Sequence, residues 1–182
     1  MKSLMKYGLI LLILAFASHV ITLWAYPYVI LSAVNNKVLK KSGGEANKPI
    51  HHGLITAKQR TVVMPSPDLI YSFICFDVSD GGLRIKAPVP SDTYWSLAFY
   101  GSNTDNFYHI NDRQADRNPV DILLLGPDTC HPKTHDAKVI VAPSKKGVIL
   151  ARLLVKDSGE LDDLVKIQKQ LSCKVIQKGL EK

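Results

Sequence analysis

Two groups of side chains in this sequence carry functional groups that chemistry could use. The first is dispersed through the middle of the chain: Asp68, Tyr71, Asp77, Tyr94, Asn103, Asp105 and Arg113. A carboxylate held beside a phenol and a guanidinium can bind a polar ligand or relay a proton. A ligand site built from Asp68, Tyr71, Tyr94, Asn103, Asp105 and Arg113 requires that they converge on the loops at one end of a fold. Any proton chemistry there would fall to Asp68, Tyr71, Asp105 and Arg113. The simpler reading is structural: Asp68 caps a turn after Pro67, Asn103 to Asn106 form a loop, and Arg113 is solvated, because Asp and Asn at such positions serve turn geometry.

The second group is compact: Cys130-His131-Pro132-Lys133-Thr134-His135-Asp136 offers four potential metal ligands within seven residues. It lacks the paired spacing of structural zinc modules and reads as a surface loop, with Cys130, His131 and His135 the only ligands worth testing. The sequence contains no G-x-S-x-G, H-E-x-x-H, Walker loop, G-x-G-x-x-G or EF-hand pattern. No catalytic residue is therefore assigned, and neither a cofactor nor a metal is expected.

The elements that must position these residues are short. From Arg60 onward, apolar runs at 61–64, 69–78, 83–87, 93–100, 107–110, 121–125, 138–142 and 147–155 are separated by turn residues. This spacing predicts a mainly β domain, an antiparallel sandwich-like pair of sheets. Leu83-Arg84-Ile85-Lys86-Ala87 alternates strictly, as a strand with one buried and one wet face must. It follows Asp80-Gly81-Gly82, so a hairpin with 69–78 is expected. Tyr94 to Tyr100 is apolar on both faces and is expected inside a sheet. After Asp157 the period changes: Asp157 and Glu160 have capping-box spacing, and Leu161, Leu164, Val165, Ile167 and Leu171 recur at helical intervals. A C-terminal amphipathic helix packed on the sheets is expected, with Asp162 and Lys166 paired on its outer side.

Charge directs attention to the other end of the chain. The formal net charge is +7 over 182 residues, yet from position 42 onward 18 basic residues face 16 acidic ones. Lys2, Lys6, Lys37, Lys40 and Lys41 hold most of the excess, and no stretch interleaves arginines with aromatics, so no nucleic-acid partner is expected. These lysines flank Tyr7 to Asn36, thirty residues without a formal charge. Roughly 20 suffice to cross a bilayer, and at helical rise Tyr7 to Trp24 spans about 26 Å. Trp24, Tyr26 and Tyr28 suit the headgroup layer.

The sequence thus divides into a transmembrane anchor over 1–34, a linker over 35–59 containing Gly43-Gly44 and Pro49, and a β-rich domain over 60–182. Ala15-Phe16-Ala17 has the form of a signal-peptidase site, but cleavage there would leave a mature end of bare apolar residues, and the apolar stretch exceeds a signal's core. The anchor is expected to stay, with the lipid bilayer as a partner and the domain exported across the inner membrane. Ser18, His19 and Thr22 share one side of this helix; Ser18 and Thr22 are expected to bond back to their own helix. Cys75, Cys130 and Cys173 form no C-x-x-C pair and read as small buried apolar residues.

Several segments together resemble the bacterial domain-of-unknown-function 1254 family. Pro65-Ser66-Pro67-Asp68-Leu69-Ile70-Tyr71-Ser72 is similar to that family's P-N-x-D-T-x-Y-S, with Ser66 in place of Asn and Leu69 in place of Thr. The similarity continues through Asp77, Tyr94 to Leu97, Asn103 to Phe107, Leu124 to Pro127, Ala142 to Ser144, Arg152, and the helix carrying Gln168 to Gln170. The resemblance implies a β-sandwich-like fold. It also implies that the second domain of larger members is supplied here by a separate, similarly anchored protein. The function it suggests is a membrane-anchored binding or assembly module. The rival is a hydrolase-like or other small-molecule enzyme completed by a partner domain.

Overall fold

The structure, a computed structural model, describes residues 2–41, 43–55, 65–129 and 136–177. Its first element, α1 (Lys2–Lys41), is one uninterrupted helix of 40 residues. Apolar residues surround it on every side through Ile30, so no amphipathic stripe forms there. Ser18 Oγ donates to the Ala15 carbonyl at 2.9 Å and Thr22 Oγ1 to that of Ser18 at 2.8 Å, the local back-bonding expected of them. Pro27 lies inside the helix and lacks the N–H that would bond back to residue 23.

Helix α1 runs past its expected end at 34, through Asn35 and Asn36. Leu31 is buried and Val34, Asn35, Val38 and Leu39 are partly buried, a spacing that turns one side of the last turns inward. The helix then stops in a Schellman cap: Gly43 and Gly44 have φ of 81° and 87°, and the Gly44 N–H returns to the Leu39 carbonyl at 2.7 Å.

The β domain has two sheets. The first has five antiparallel strands in the order β1 (Ile50–His52), β2 (Leu69–Asp77), β8 (Lys146–Leu154), β4 (Trp95–Tyr100) and β5 (Asn106–Asn111). The second has four, β7 (Lys138–Val141), β6 (Val120–Leu125), β3 (Gly81–Ala87) and β9 (Ser172–Gln177), antiparallel except for the β6–β7 pair. Alternation sends Ile70, Ile74, Phe76, Trp95, Leu97, Phe99, Ile149 and Leu153 of one sheet against Leu83, Ile85, Ile122 and Leu124 of the other, all at most 2% exposed. Helix α2 (Leu161–Gln168) adds Leu164 to this core. Strand β4 lies inside its sheet, and β3 buries Leu83, Ile85 and Ala87 while Lys86 faces water, as their patterns required.

Four expectations are corrected. β2 and β3 form no hairpin: they lie in different sheets, because Gly81 and Gly82 are strand residues and not turn residues. A Cβ on Gly81 would stand 2.0 Å from the Ile176 carbonyl of β9, so bare backbone is needed for the strands to approach. The 35–59 segment is no bare linker, since it holds the end of α1 and strand β1, whose three residues pair with Tyr71 to Phe73. The helix after Asp157 is shorter than expected: Asp157 caps a 3-10 turn through Gly159, α2 ends at Gln168, and Leu171 leads into β9. Lys166 pairs with Asp163 at 2.7 Å and not with Asp162. The run expected as a strand at 61–64 lies outside the described residues.

A latch fixes the route from α1 into the sheet. Asn47, at φ 63°, donates its N–H to the Cys75 carbonyl at 2.8 Å. Its side-chain amide meets Asp77 twice, Nδ2 to the carbonyl and Oδ1 from the N–H, each at 2.8 Å. One residue thereby imitates a further pair of ladder bonds at the end of β2. The last turns of α1 rest on β2 and β8, on the sheet face turned away from the core. Cys75 at 4% and Val148 at 6% exposure, which alternation points to that face, are covered.

Candidate functional site

The five-stranded sheet carries a polar row on its outer face. Register places His52, Tyr71, Arg152, Ser96 and Asn111 side by side on β1, β2, β8, β4 and β5. Their neighbours in sequence, Ile70, Leu153, Trp95, Leu97 and Ile110, point into the core, so period two turns the row outward. Ser96 is fully buried; its Oγ accepts from Arg152 Nε at 3.0 Å and from the Tyr94 hydroxyl at 3.0 Å. Tyr71 Oη accepts the Ser66 N–H at 2.9 Å, which ties the Pro65-Ser66-Pro67 segment down over the row. From behind, Gln168 of α2, 3% exposed, donates to the carbonyls of His52 and Tyr71 at 3.1 and 3.0 Å and locks β1 against β2.

The residues singled out from the sequence do not all meet. Asp68, Tyr71, Tyr94 and Arg113 share one end of this sheet: the Val155 N–H reaches the Asp68 carbonyl, Leu154 N–H that of Tyr94, and Asp112 N–H that of Trp95. Asn103 and Asp105 sit in the β4–β5 turn at the other end, a six-residue strand or about 20 Å away. There Asn103 Nδ2 donates to Asp105 Oδ2 at 2.5 Å and Asn103 Oδ1 accepts the Asp105 N–H at 3.2 Å, so the two side chains hold the turn.

Asp77 belongs to the same far end, bonded to Ser79 and paired with Lys146 at 3.0 Å. Burial pushes its carboxyl up, but the bonds from Ser79 and Lys146 outweigh that and hold it below its ordinary value. Arg113 is exposed, and Asp68, also exposed, has its N–H bonded to Ser66 Oγ at 3.4 Å. Cys130, His131 and His135 lie outside the described residues, and among the described residues no group of three metal-ligating side chains gathers.

Ser96, Arg152, His52 and Gln168 were missed as a set, because only cross-strand register brings them together. Ser72 was missed as well: it is fully buried on the core side, and His51 Nδ1 lies 2.9 Å from its Oγ. Burial first, then Lys169 and His52, hold His51 below its ordinary pKa. The void beside this pair, lined by Ser72, Trp95, Ala151, Ile167 and Gln168, has room for about one water molecule and is too small for a substrate.

Comparison with solved structures finds this fold in the VPA0106 protein from Vibrio parahaemolyticus, with a TM-score of 0.70 at 11% identity; the match covers 88% of this chain and 38% of that one. An uncharacterized protein from Burkholderia cenocepacia matches with a TM-score of 0.49 at 16% identity, over 84% of this chain and 42% of that one. The chain thus spans about two fifths of the length of these solved relatives. No curated protein matches it. The pattern described as a protein of unknown function, DUF1254, matches residues 46–175, from the Asn47 latch into β9. The chain is therefore a member of the DUF1254 family, carrying that family's domain as a two-sheet sandwich behind one long apolar helix.

Proposed function

We propose that this chain is a single-pass membrane protein of the bacterial envelope, in which α1 crosses the inner membrane. Its β domain, on the extracytoplasmic side, binds or assembles with a second anchored protein. One observation carries the reading. The last turns of α1 are spent on the sheet, while the turns before them present apolar side chains all round: Leu9 is 61% exposed, Ile13 58%, Leu23 63% and Trp24 71%. Water penalises such a cylinder at roughly 25 cal/mol per Å² of apolar surface, whereas a bilayer solvates it. Trp24 and Tyr28, with ring centroids 5.5 Å apart, then occupy the headgroup layer.

Alkaline-washed membranes should retain the full-length chain, and a reporter active only outside the cytoplasm should work when fused after Lys182. A soluble product beginning at Ser18 refutes the anchor, and an expressed but silent fusion refutes the orientation. Crosslinking in intact membranes should recover a second anchored protein; recovery of this chain alone refutes the assembly role.

A further inference from the structure

We infer that Arg152 anchors a binding site for a small monocarboxylate with an apolar or aromatic body, on the outer face of the five-stranded sheet. A guanidinium partly withdrawn from water normally faces an acid, because desolvating a cation without a counter-charge is costly. Of the 16 acidic residues, all but Glu181 are described, and none of those pairs with Arg152. The other described arginines differ. Arg84 is forked onto Asp121 at 2.9 and 2.7 Å, Arg117 reaches Asp116 and the Asp136 carbonyl, and Arg113 stands in water.

What Arg152 has instead of a partner is an orientation. Ser96 takes its Nε, and Tyr94 steadies Ser96. With Nε fixed, the two terminal nitrogens have no partner among the described residues, and they are the donors that grip an oxyanion.

The chemistry of the surroundings narrows the ligand. Among the described residues, the row neighbours Tyr71 and Ser96 add hydroxyls and no charge, so Arg152 offers one positive charge in a planar fork. That matches a carboxylate in charge and shape, whereas a phosphate dianion calls for a second cation. One step along the same face, Phe73 and Leu150 lie opposite each other in register and are partly buried, and the Tyr71 and Phe73 rings stack with centroids 6.5 Å apart. An apolar body attached to the carboxylate would lie along this strip, beside the turns of α1 that rest on β2 and β8.

The test uses the full chain in neutral nonionic micelles, with phenylacetate, phenylacetamide and inorganic phosphate as probes, followed by ligand-observed NMR titration. Phenylacetate should bind saturably at millimolar or lower concentration, and phenylacetamide should not. Arg152→Gln should weaken the acid at least about tenfold, ~1.4 kcal/mol. Arg152→Lys, which keeps the charge and loses the fork, should fall between; it carries the comparison if the Gln variant fails to fold by circular dichroism. Ser96→Ala should raise the Kd by a smaller factor while leaving acid-over-amide selectivity intact, as a positioning residue does. Equal binding by Arg152→Gln, equal binding of the amide, preference for phosphate, or no saturable binding by folded wild type would each overturn the proposal. Micelles make the result independent of whether α1 crosses a bilayer, so this site and the membrane reading fail separately.

Discussion

The Asn47 latch can be taken apart by substitution, because backbone strain and hydrogen bonding there respond to different residues. Asn47→Ala removes both side-chain bonds to Asp77, each worth about 0.5–1.5 kcal/mol net. It also places a β-carbon residue without a local amide at φ 63°, which costs roughly 1 kcal/mol more. The expected loss is about 2–4 kcal/mol. Asn47→Gly loses the same two bonds but accepts the positive φ, so its loss should be about 1–3 kcal/mol, roughly 1 kcal/mol less than that of Ala. Asn47→Asp keeps the acceptor for the Asp77 N–H and loses the donor to the carbonyl, and should resemble Gly.

Urea unfolding in micelles, read through the Trp95 core, gives the three values. Hydrogen exchange shows whether protection is lost first at the Cys75–Asp77 end of β2. If Ala and Gly variants are equally stable, the strain argument is wrong. If all three lie within about 0.5 kcal/mol of wild type, the range of an ordinary surface change, the latch is not holding the helix to the sheet.

Other outcomes follow from single contacts. The Arg84 hydrogen bond, opposed by partial burial, holds the Asp121 carboxyl below its ordinary value; its stabilisation is complete above the unfolded pKa of about 3.9 and is lost as pH falls below that through the folded pKa. Asp121→Asn should therefore lower Tm near pH 7 and flatten the acid limb of a Tm–pH profile. Asn35 Oδ1 is buried with no partner among the described residues, so Asn35→Leu should raise stability by about 1 kcal/mol in the same urea assay. A Cβ on Gly147 would stand 2.2 Å from the Tyr100 carbonyl and 2.5 Å from the Phe76 ring, so Gly147→Ala should cost at least 1–3 kcal/mol or block folding, seen as loss of near-ultraviolet dichroism. Burial pushes the Cys75 and Cys173 thiols up to about 11 and about 12; neither should alkylate at pH 8 until urea unfolds the domain.

The parts of the fold legible in the sequence are those where a single period runs for five residues or more. Leu83 to Ala87 alternates, Tyr94 to Tyr100 carries apolar residues on both faces, and both lie where those patterns required. Strand β1 has three residues, too few for a period to declare itself, and β9, though six residues long, has only Cys173 and Ile176 partly buried and so shows no two-residue period. Asn35-Asn36 resembles a break, yet tertiary contact through Leu31, Val34, Val38 and Leu39 carries the helix on to Lys41.

The glycines at 81 and 82 carry the same signal whether they turn the chain or admit a neighbouring strand, and only the β9 backbone tells the two apart. The candidate site was legible as residue types and not as a place. Asn103 and Tyr94 are nine positions apart, with a strand between them that carries each to an opposite end. Arg152 and Ser96 are 56 positions apart and touch.

The way α1 ends on the sheet sets how far this domain can stray. A flexible leash would let it sample a hemisphere above its attachment point, but seven helical residues from Trp24 to Leu31 amount to about 10 Å, with only the missing Pro27 bond to bend at. On the proposal that α1 lies in a bilayer, the sandwich is held like a flag close to its pole. Encounters are then confined to a thin layer, where a molecule of matching height meets it at raised effective concentration and one diffusing above that layer does not meet it at all.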